Sequence, residues 1–363
     1  MTQTLIDIVR SYDRRLVIPL MGFPGTQLNG STLKQNTFNW GTQFSTVFAL
    51  QRRFRPDGIF FFMDLSVEAS ALGLPVRFPL DESPSVEFHP VKKLDDLERF
   101  ANSDILTDGR VAVYIETMRL MARYIDVIKG GYVIGPFSLA GLLMGASEAA
   151  MATVTDPELL HGVLRFASGV IARYARALER AGADTIAILE PTASFLSPAH
   201  FRQFAGRYLQ EIISTLRVIP ILHVCGQTTN LIEAMAETGA QGLSLDAMVD
   251  FPSAVKRVPE DVVLIGNLDT VRVMLELTPN QVYRATKDLL ASMDGHKNLI
   301  VSSACDLPLE TPLENIHAMI DAVRGEDSGQ EHPWMAEHER ELLRGIPELR
   351  ETLAERGGEE LPA

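Results

Sequence analysis

The chain has 363 residues, 46% of them hydrophobic and 22% charged, the composition of a compact protein with a large core rather than a disordered or fibrous one. A formal net charge of −14 with a pI near 5.1, and no stripe of clustered Lys and Arg, excludes a nucleic-acid-binding face, because neutralising phosphates needs concentrated positive charge. No uncharged apolar run reaches bilayer-spanning length, the opening MTQTLIDIVRSYDRRLV is not a signal peptide, and only two cysteines, Cys225 and Cys305, point to a cytoplasmic protein with reduced thiols and no membrane association.

Short runs rich in Val, Ile, Leu and Phe alternate with longer amphipathic segments, the pattern of repeated β–α units. In chain order, strands are predicted at 16–21, 58–64, 132–136, 184–190, 219–225, 242–246, 262–267 and 298–305. Residues 65–128 are too long for one crossover and read as an insertion after the second strand, with a candidate hairpin in PVRFPLDESPSVEFHPV (75–91). The apolar spacing of 157–182 predicts a helix. Another is predicted over 311–325, with Thr311 as N-cap, Pro312 at the first helical position, Glu314 in the first turn and Gly325 as stop. The strongly acidic tail beyond Gly325 reads as a peripheral helix with a frayed end; an interaction arm is the alternative.

Eight parallel strands with helical crossovers at this length favour a (β/α)8 TIM barrel over an open doubly wound sheet. The glycine pattern agrees: GFPGTQLNG after the first strand lacks the GxGxxG turn of a dinucleotide fold. The expected layout is one catalytic barrel domain over 1–325, with the insertion at about 65–128 and an acidic C-terminal helical extension over 326–363.

Barrels of this type build chemistry at the carboxyl ends of their strands. Polar residues stand there on six of the eight predicted strands: Asp64, Glu190, His223 with Cys225, Asp246, Asn267, and Cys305 with Asp306. In ILHVCG (221–226) the histidine and cysteine are two apart, so both project to one face. Cys305, ending the last strand, can reach the same axis, and Asp246 on the next strand can supply a fourth atom. One imidazole, two thiolates and a displaceable oxygen are the donors of an open zinc site. Plainer readings stand beside this one. A buried cysteine packs as a small hydrophobe, and Glu190, Asp64 and Asn267 each suit the satisfaction of loop amides.

HVCGQTTNLIEAMAETGAQGLSLD and SSACDLPLETPLENIHAMIDAVR, together with IFFFMDLSVEASALG, GGYVIGPFSLA and ILEPTASFLSPAHF, resemble the uroporphyrinogen decarboxylase superfamily, and within it the methylcobamide:thiol methyltransferase branch. The resemblance runs from about Leu16 to Arg324. It implies a zinc ion held by His223, Cys225 and Cys305. Asp246, 21 residues after Cys225, falls where the family has a Glu as exchangeable fourth ligand, and the shorter side chain is a departure. The implied activity is methyl transfer between a methylated corrinoid, carried on a corrinoid-binding partner protein, and a small thiol such as coenzyme M. Glu190, Asn267 and Asp64 would position substrate or the groups around the metal. The chain shows no D-x-H-x-x-G segment of a corrinoid-binding domain, so the corrinoid must be brought to it. Decarboxylases hold a polycarboxylate through an arginine-bearing segment after the first strand; here MGFPGTQLNGSTLKQ has Lys34 as its only base. A decarboxylase-like lyase and a non-catalytic zinc-binding member remain the alternatives. Barrels of this family occur as monomers and as homodimers, and the sequence does not choose between them.

Overall fold

The computed structural model describes residues 3–326; the extension expected over 326–363 lies, beyond its first residue, outside the described residues. All eight predicted barrel strands are present. In chain order the strands are β1 (Leu16–Val17), β2 (Gly58–Phe60), β3 (Val76–Arg77), β4 (Ser85–Val86), β5 (Ile128–Ile134), β6 (Thr185–Leu189), β7 (Ile219–Val224), β8 (Gly242–Leu245), β9 (Val263–Leu268) and β10 (Leu299–Ser303). Eight of them form one sheet in the order β1-β10-β9-β8-β7-β6-β5-β2, every pair parallel. This is the expected (β/α)8 barrel. Strands β3 and β4 are the antiparallel hairpin anticipated in 75–91.

The barrel closes at the β1–β2 seam through one carboxylate. Asp57 donates its N–H to the Val17 carbonyl at 3.0 Å. Its side chain accepts the Val17 N–H at 2.8 Å and two bonds from Arg14 at 2.7 Å each. Below, the helix Leu5–Arg10 plugs the amino-terminal end: Leu5 is buried and its N–H is held by Gln241 at 2.8 Å. No single helix among the described residues is long and apolar enough to cross a membrane.

Two predicted boundaries move for local reasons. The strand expected at 132–136 instead runs Ile128–Ile134 and stops before Pro136, which has no N–H for a ladder and starts the helix Pro136–Met144 at its first position. The helix expected from Thr311 starts at Leu313, because Pro312 has an extended ψ of 130° and occupies the cap position. Thr311 Oγ1 is therefore no N-cap, and it is buried without a hydrogen-bond partner. The helix predicted over 157–182 is Pro157–Ala181, capped by Asp156 and stopped by Gly182 at φ +107°.

Inside the barrel, Phe60 stacks on Tyr132 with ring centroids 4.9 Å apart. Its ring lies over Gly130, its register partner, where an added Cβ would sit 2.0 Å from a ring carbon. Replacing Gly130 by Ala is expected to cost about 1–3 kcal/mol through overpacking, read as a lowered urea midpoint. An unchanged midpoint would show that the Phe60 ring swings away freely.

Glu190, just past β6, clamps the next layer. It is fully buried and accepts the Phe137 and Ser138 N–H groups at 2.9 and 2.6 Å, the open donors of the helix Pro136–Met144. Burial pushes its carboxyl up to about 7, against the opposing pull of those donors. A carboxyl raised on folding contributes stability below its unfolded pKa and loses it as pH rises through the folded one. From the ordinary 4.5 to about 7 this loss is on the order of 3 kcal/mol. Glu190→Gln should escape it, so urea unfolding at pH 5 and pH 8 should show the variant gaining on the wild type by about 2–3 kcal/mol. A pH-independent difference would mean that the helix donors keep Glu190 ionised throughout.

Candidate functional site

Strand register assembles the site. His223 on β7 pairs with Ser244 on β8, so the two side chains share the inward face. His223 Nδ1 lies 2.9 Å from Ser244 Oγ, and both side chains are buried. That contact holds the ring so that Nε2 faces Cys305 Sγ, 3.6 Å away. Cys225, two residues beyond His223 and immediately past the end of β7, neighbours Cys305, which follows β10 by two residues.

The two thiols are unequal. Cys225 is pushed down, first by its neighbour Cys305 and then by His223, against burial. Cys305 is pushed well up by Cys225 and by burial. The two thiols are therefore coupled, and ionising one disfavours ionising the other. Burial also holds the Asp306 carboxyl well above the usual range, and its Oδ2 has no hydrogen-bond partner. Tyr132, on the barrel's inner face, is pushed up, first by burial, so its phenol stays protonated.

The other sequence-predicted residues have their polar atoms engaged by the protein. Asp246 accepts the Gly226 N–H at 2.8 Å and the Met248 N–H at 3.0 Å, and its charge opposes ionisation of Cys225. It thus fastens the loop carrying the cysteine to the loop after β8. Asn267 donates to the Asp246 and Val249 carbonyls at 3.0 and 2.7 Å. Asp64 lies past the end of β2, in a separate buried network rather than with the thiols. It pairs with Arg110 and accepts from Tyr114 at 3.0 Å and from both Ser66 donors at 2.8 and 2.7 Å. Glu190 is spent on the helix it caps. The structure brings together His223, Cys225 and Cys305 and keeps Asp246 beside them; Asp64, Glu190 and Asn267 hold the surrounding wall.

Sequence reasoning missed Ser244 and Arg110. Ser244 is an ordinary serine until the β7–β8 register is known. Arg110 is 46 residues from its partner Asp64, and no local pattern links them.

Among the described residues no group of three or more His, Cys, Asp or Glu side chains is drawn in tightly enough to hold a metal ion. The donors nevertheless suit zinc. Tetrahedral zinc with nitrogen at about 2.0–2.1 Å and sulfur at about 2.3 Å separates the two donors by about 3.6 Å, the distance between His223 Nε2 and Cys305 Sγ. His223 also has its other nitrogen anchored, as metal-ligating histidines do.

Residues 27–326 match the uroporphyrinogen decarboxylase (URO-D) family. Over 272 residues, 72% of this chain and 77% of the relative, the sequence is 32% identical to the methylcobamide:CoM methyltransferase MtbA of Methanosarcina acetivorans. It is 27% identical over 286 residues to a uroporphyrinogen decarboxylase of Psychromonas ingrahamii, covering 75% of this chain and 79% of that one. Among solved structures, a methyltransferase from Methanosarcina mazei shares the fold with a TM-score of 0.81 at 24% identity, over 88% of this chain and 97% of that chain. With this fold, these strand-end residues and these matches, the chain belongs to the uroporphyrinogen decarboxylase family, in the branch of the methylcobamide:CoM methyltransferases.

Proposed function

We propose that the protein transfers a methyl group between a methylated corrinoid, presented by a corrinoid-binding partner protein, and a small thiol, with zinc held by His223, Cys225 and Cys305. The observation that supports this most is the meeting of both cysteines of the chain with a histidine at the carboxyl end of the barrel, with His223 Nε2 3.6 Å from Cys305 Sγ. Zinc bound there would keep the acceptor sulfur deprotonated at neutral pH, where a free thiol of pKa about 8.5 is mostly protonated. In the transfer, the acceptor's S–C bond forms as the Co–C bond breaks. The bonding pair stays on cobalt, which passes from Co(III) to Co(I), and the thiol proton goes to solvent.

The chain's own residues orient and exclude. Ser244 orients the His223 ring, and the thiol protons of Cys225 and Cys305 must leave when a metal arrives, so metal loading releases protons. We give Asp246 the exchangeable fourth position, since each of its oxygens retains a second lone pair beyond its backbone bond. Asp64, Glu190 and Asn267 position the loops that carry these groups. The barrel interior below His223 is walled by Ile18, Leu20, Ile221 and Ile265 and keeps water from the site's inner side. Coenzyme M, in the name of the relatives, is the first acceptor to test. The free thiols need a reducing compartment, and we place the reaction in the cytoplasm.

Elemental analysis tests the metal directly: the purified wild type should hold close to one zinc per chain and Cys305→Ala should lose most of it. A wild type that holds no zinc even after reconstitution would end the zinc reading. Cobalamin absorbance should then report methyl transfer from methylcobalamin to coenzyme M by the zinc-loaded wild type alone.

Ser244→Ala should leave the ligands in place but weaken zinc retention against a chelator by about 10–100-fold, with Ser244→Thr recovering much of it. Equal retention in all three proteins would show that His223 needs no orienting partner.

A further inference from the structure

Cys225 and Cys305 are the only cysteines of the chain, and the fold makes them neighbours. Their strands, β7 and β10, are separated in the sheet by β8 and β9, so the two sulfurs meet only because both side chains point to the barrel axis. Both belong to one cluster: Cys305 Sγ lies 3.6 Å from His223 Nε2, and Cys225 is two residues beyond His223 on the shared inward face. Neither is sealed in the core. Both are free thiols and partly exposed, so a small oxidant can reach them from the mouth.

The backbone also suits a bond between them. Cys225 stands one residue past β7 and Cys305 two past β10, each just outside the ladder that would fix it. Gly226 follows Cys225 at φ +89°, a left-handed conformation that glycine takes without strain. A sulfur–sulfur bond asks for a specific torsion, which residues at strand ends reach by small local shifts.

We infer that a peroxide converts this pair into an intramolecular disulfide between Cys225 and Cys305, which empties the metal site and switches the protein off until a dithiol reductant reopens it. The oxidation needs only the two thiols; its meaning as a switch rests on the zinc methyltransferase reading above. The chemistry balances in two steps. One cysteine sulfur attacks a peroxide oxygen, the O–O bond breaks, water leaves, and that sulfur becomes a sulfenic acid. The second sulfur then attacks the first, the S–S bond forms, the S–O bond breaks, and a second water leaves. Two thiols lose two electrons, the peroxide gains them, and the two waters carry off the thiol protons. Thiolates are the metal-binding form of cysteine, and a disulfide has none. The site then keeps His223 as its one nitrogen donor and loses both sulfurs, too few ligands for a zinc centre.

The test uses the full chain, prepared under reducing conditions and treated with excess hydrogen peroxide, once stripped of metal and once loaded with zinc. The stripped wild type should lose two hydrogen atoms by intact mass and show no thiol to a thiol-reactive dye after denaturation. A peptide map should join Cys225 to Cys305, and dithiothreitol should restore both thiols. The loaded wild type should release most of its zinc to a chromogenic chelator in step with the disulfide, and take it back after reduction. Cys305→Ala should stop at the sulfenic acid, trapped by dimedone, with no crosslink within the chain. A wild type that keeps both thiols, gains oxygen without the crosslink, or links only between chains overturns the disulfide. A disulfide that forms while zinc stays bound overturns the switch. A reduced chain that forms the disulfide but never holds zinc also overturns the switch, and it does so through the zinc reading, leaving the disulfide chemistry intact.

Discussion

The hydrogen bond between His223 Nδ1 and Ser244 Oγ decides what the rim of this barrel can do. It is a bond between neighbouring strands, so it exists only in the register in which His223 stands opposite Ser244. A one-residue slip of β7 would turn His223 out of the barrel and bring its apolar neighbours in. That slip is resisted along the whole strand: Ile219–Val224 is buried throughout and laddered on both sides. The orientation of one imidazole is therefore backed by the packing of three strands. The direction in which Nε2 faces Cys305 follows from the fold rather than from a local loop.

Around that bond, the carboxylates at the rim share one physical solution. Glu190 takes the amides at a helix start, Asp246 takes Gly226 and Met248, and Asp64 takes Arg110, Tyr114 and Ser66. A charged group removed from water is tolerated when its oxygens are filled by donors, and each filled carboxylate ties two chain segments together. The cysteines and Asp306 are the exceptions: the thiols are left beside one another, and Asp306 Oδ2 has no partner. A site with every donor satisfied by protein would have nothing to offer a substrate or a metal; here Glu190, Asp246 and Asp64 are filled and the thiol pair is not.

Much of this was legible in the sequence, for identifiable reasons. Buried parallel strands are continuous apolar runs, so all eight could be read, and the two-residue spacing of His223 and Cys225 gave their shared face. Once the barrel was inferred, Cys305 at its last strand had to come near. Boundaries were less legible, because they depend on where pairing ends: Ile18 still bonds Val301 after the β1 ladder stops, and Leu20 then bonds the Ser303 hydroxyl at 3.1 Å instead of a backbone partner. What could not be read was anything fixed by register or by distant pairing. Ser244 is one example. Asp57, which closes the barrel seam through Val17 and Arg14, is another. Arg110 is a third, with its guanidinium 4.6 Å from the centre of the Phe78 ring in the hairpin region.

The barrel's interior imposes a direction on the chemistry. Below His223 and Ser244 the axis is closed by isoleucines, by Phe60 and Tyr132, and finally by Leu5, leaving a cavity of only about 30 Å3 with an almost wholly apolar lining. Neither a charged acceptor nor a hydrated one can approach from that side, since stripping water from an ion there would go uncompensated. Everything that meets the thiol pair must come over the rim. Attack of sulfur on a methyl group needs the nucleophile and the leaving cobalt on opposite sides of the carbon, so an acceptor reaching a common rim must lie deeper than the donor, against the sulfurs and His223. The donor, being large, then covers it.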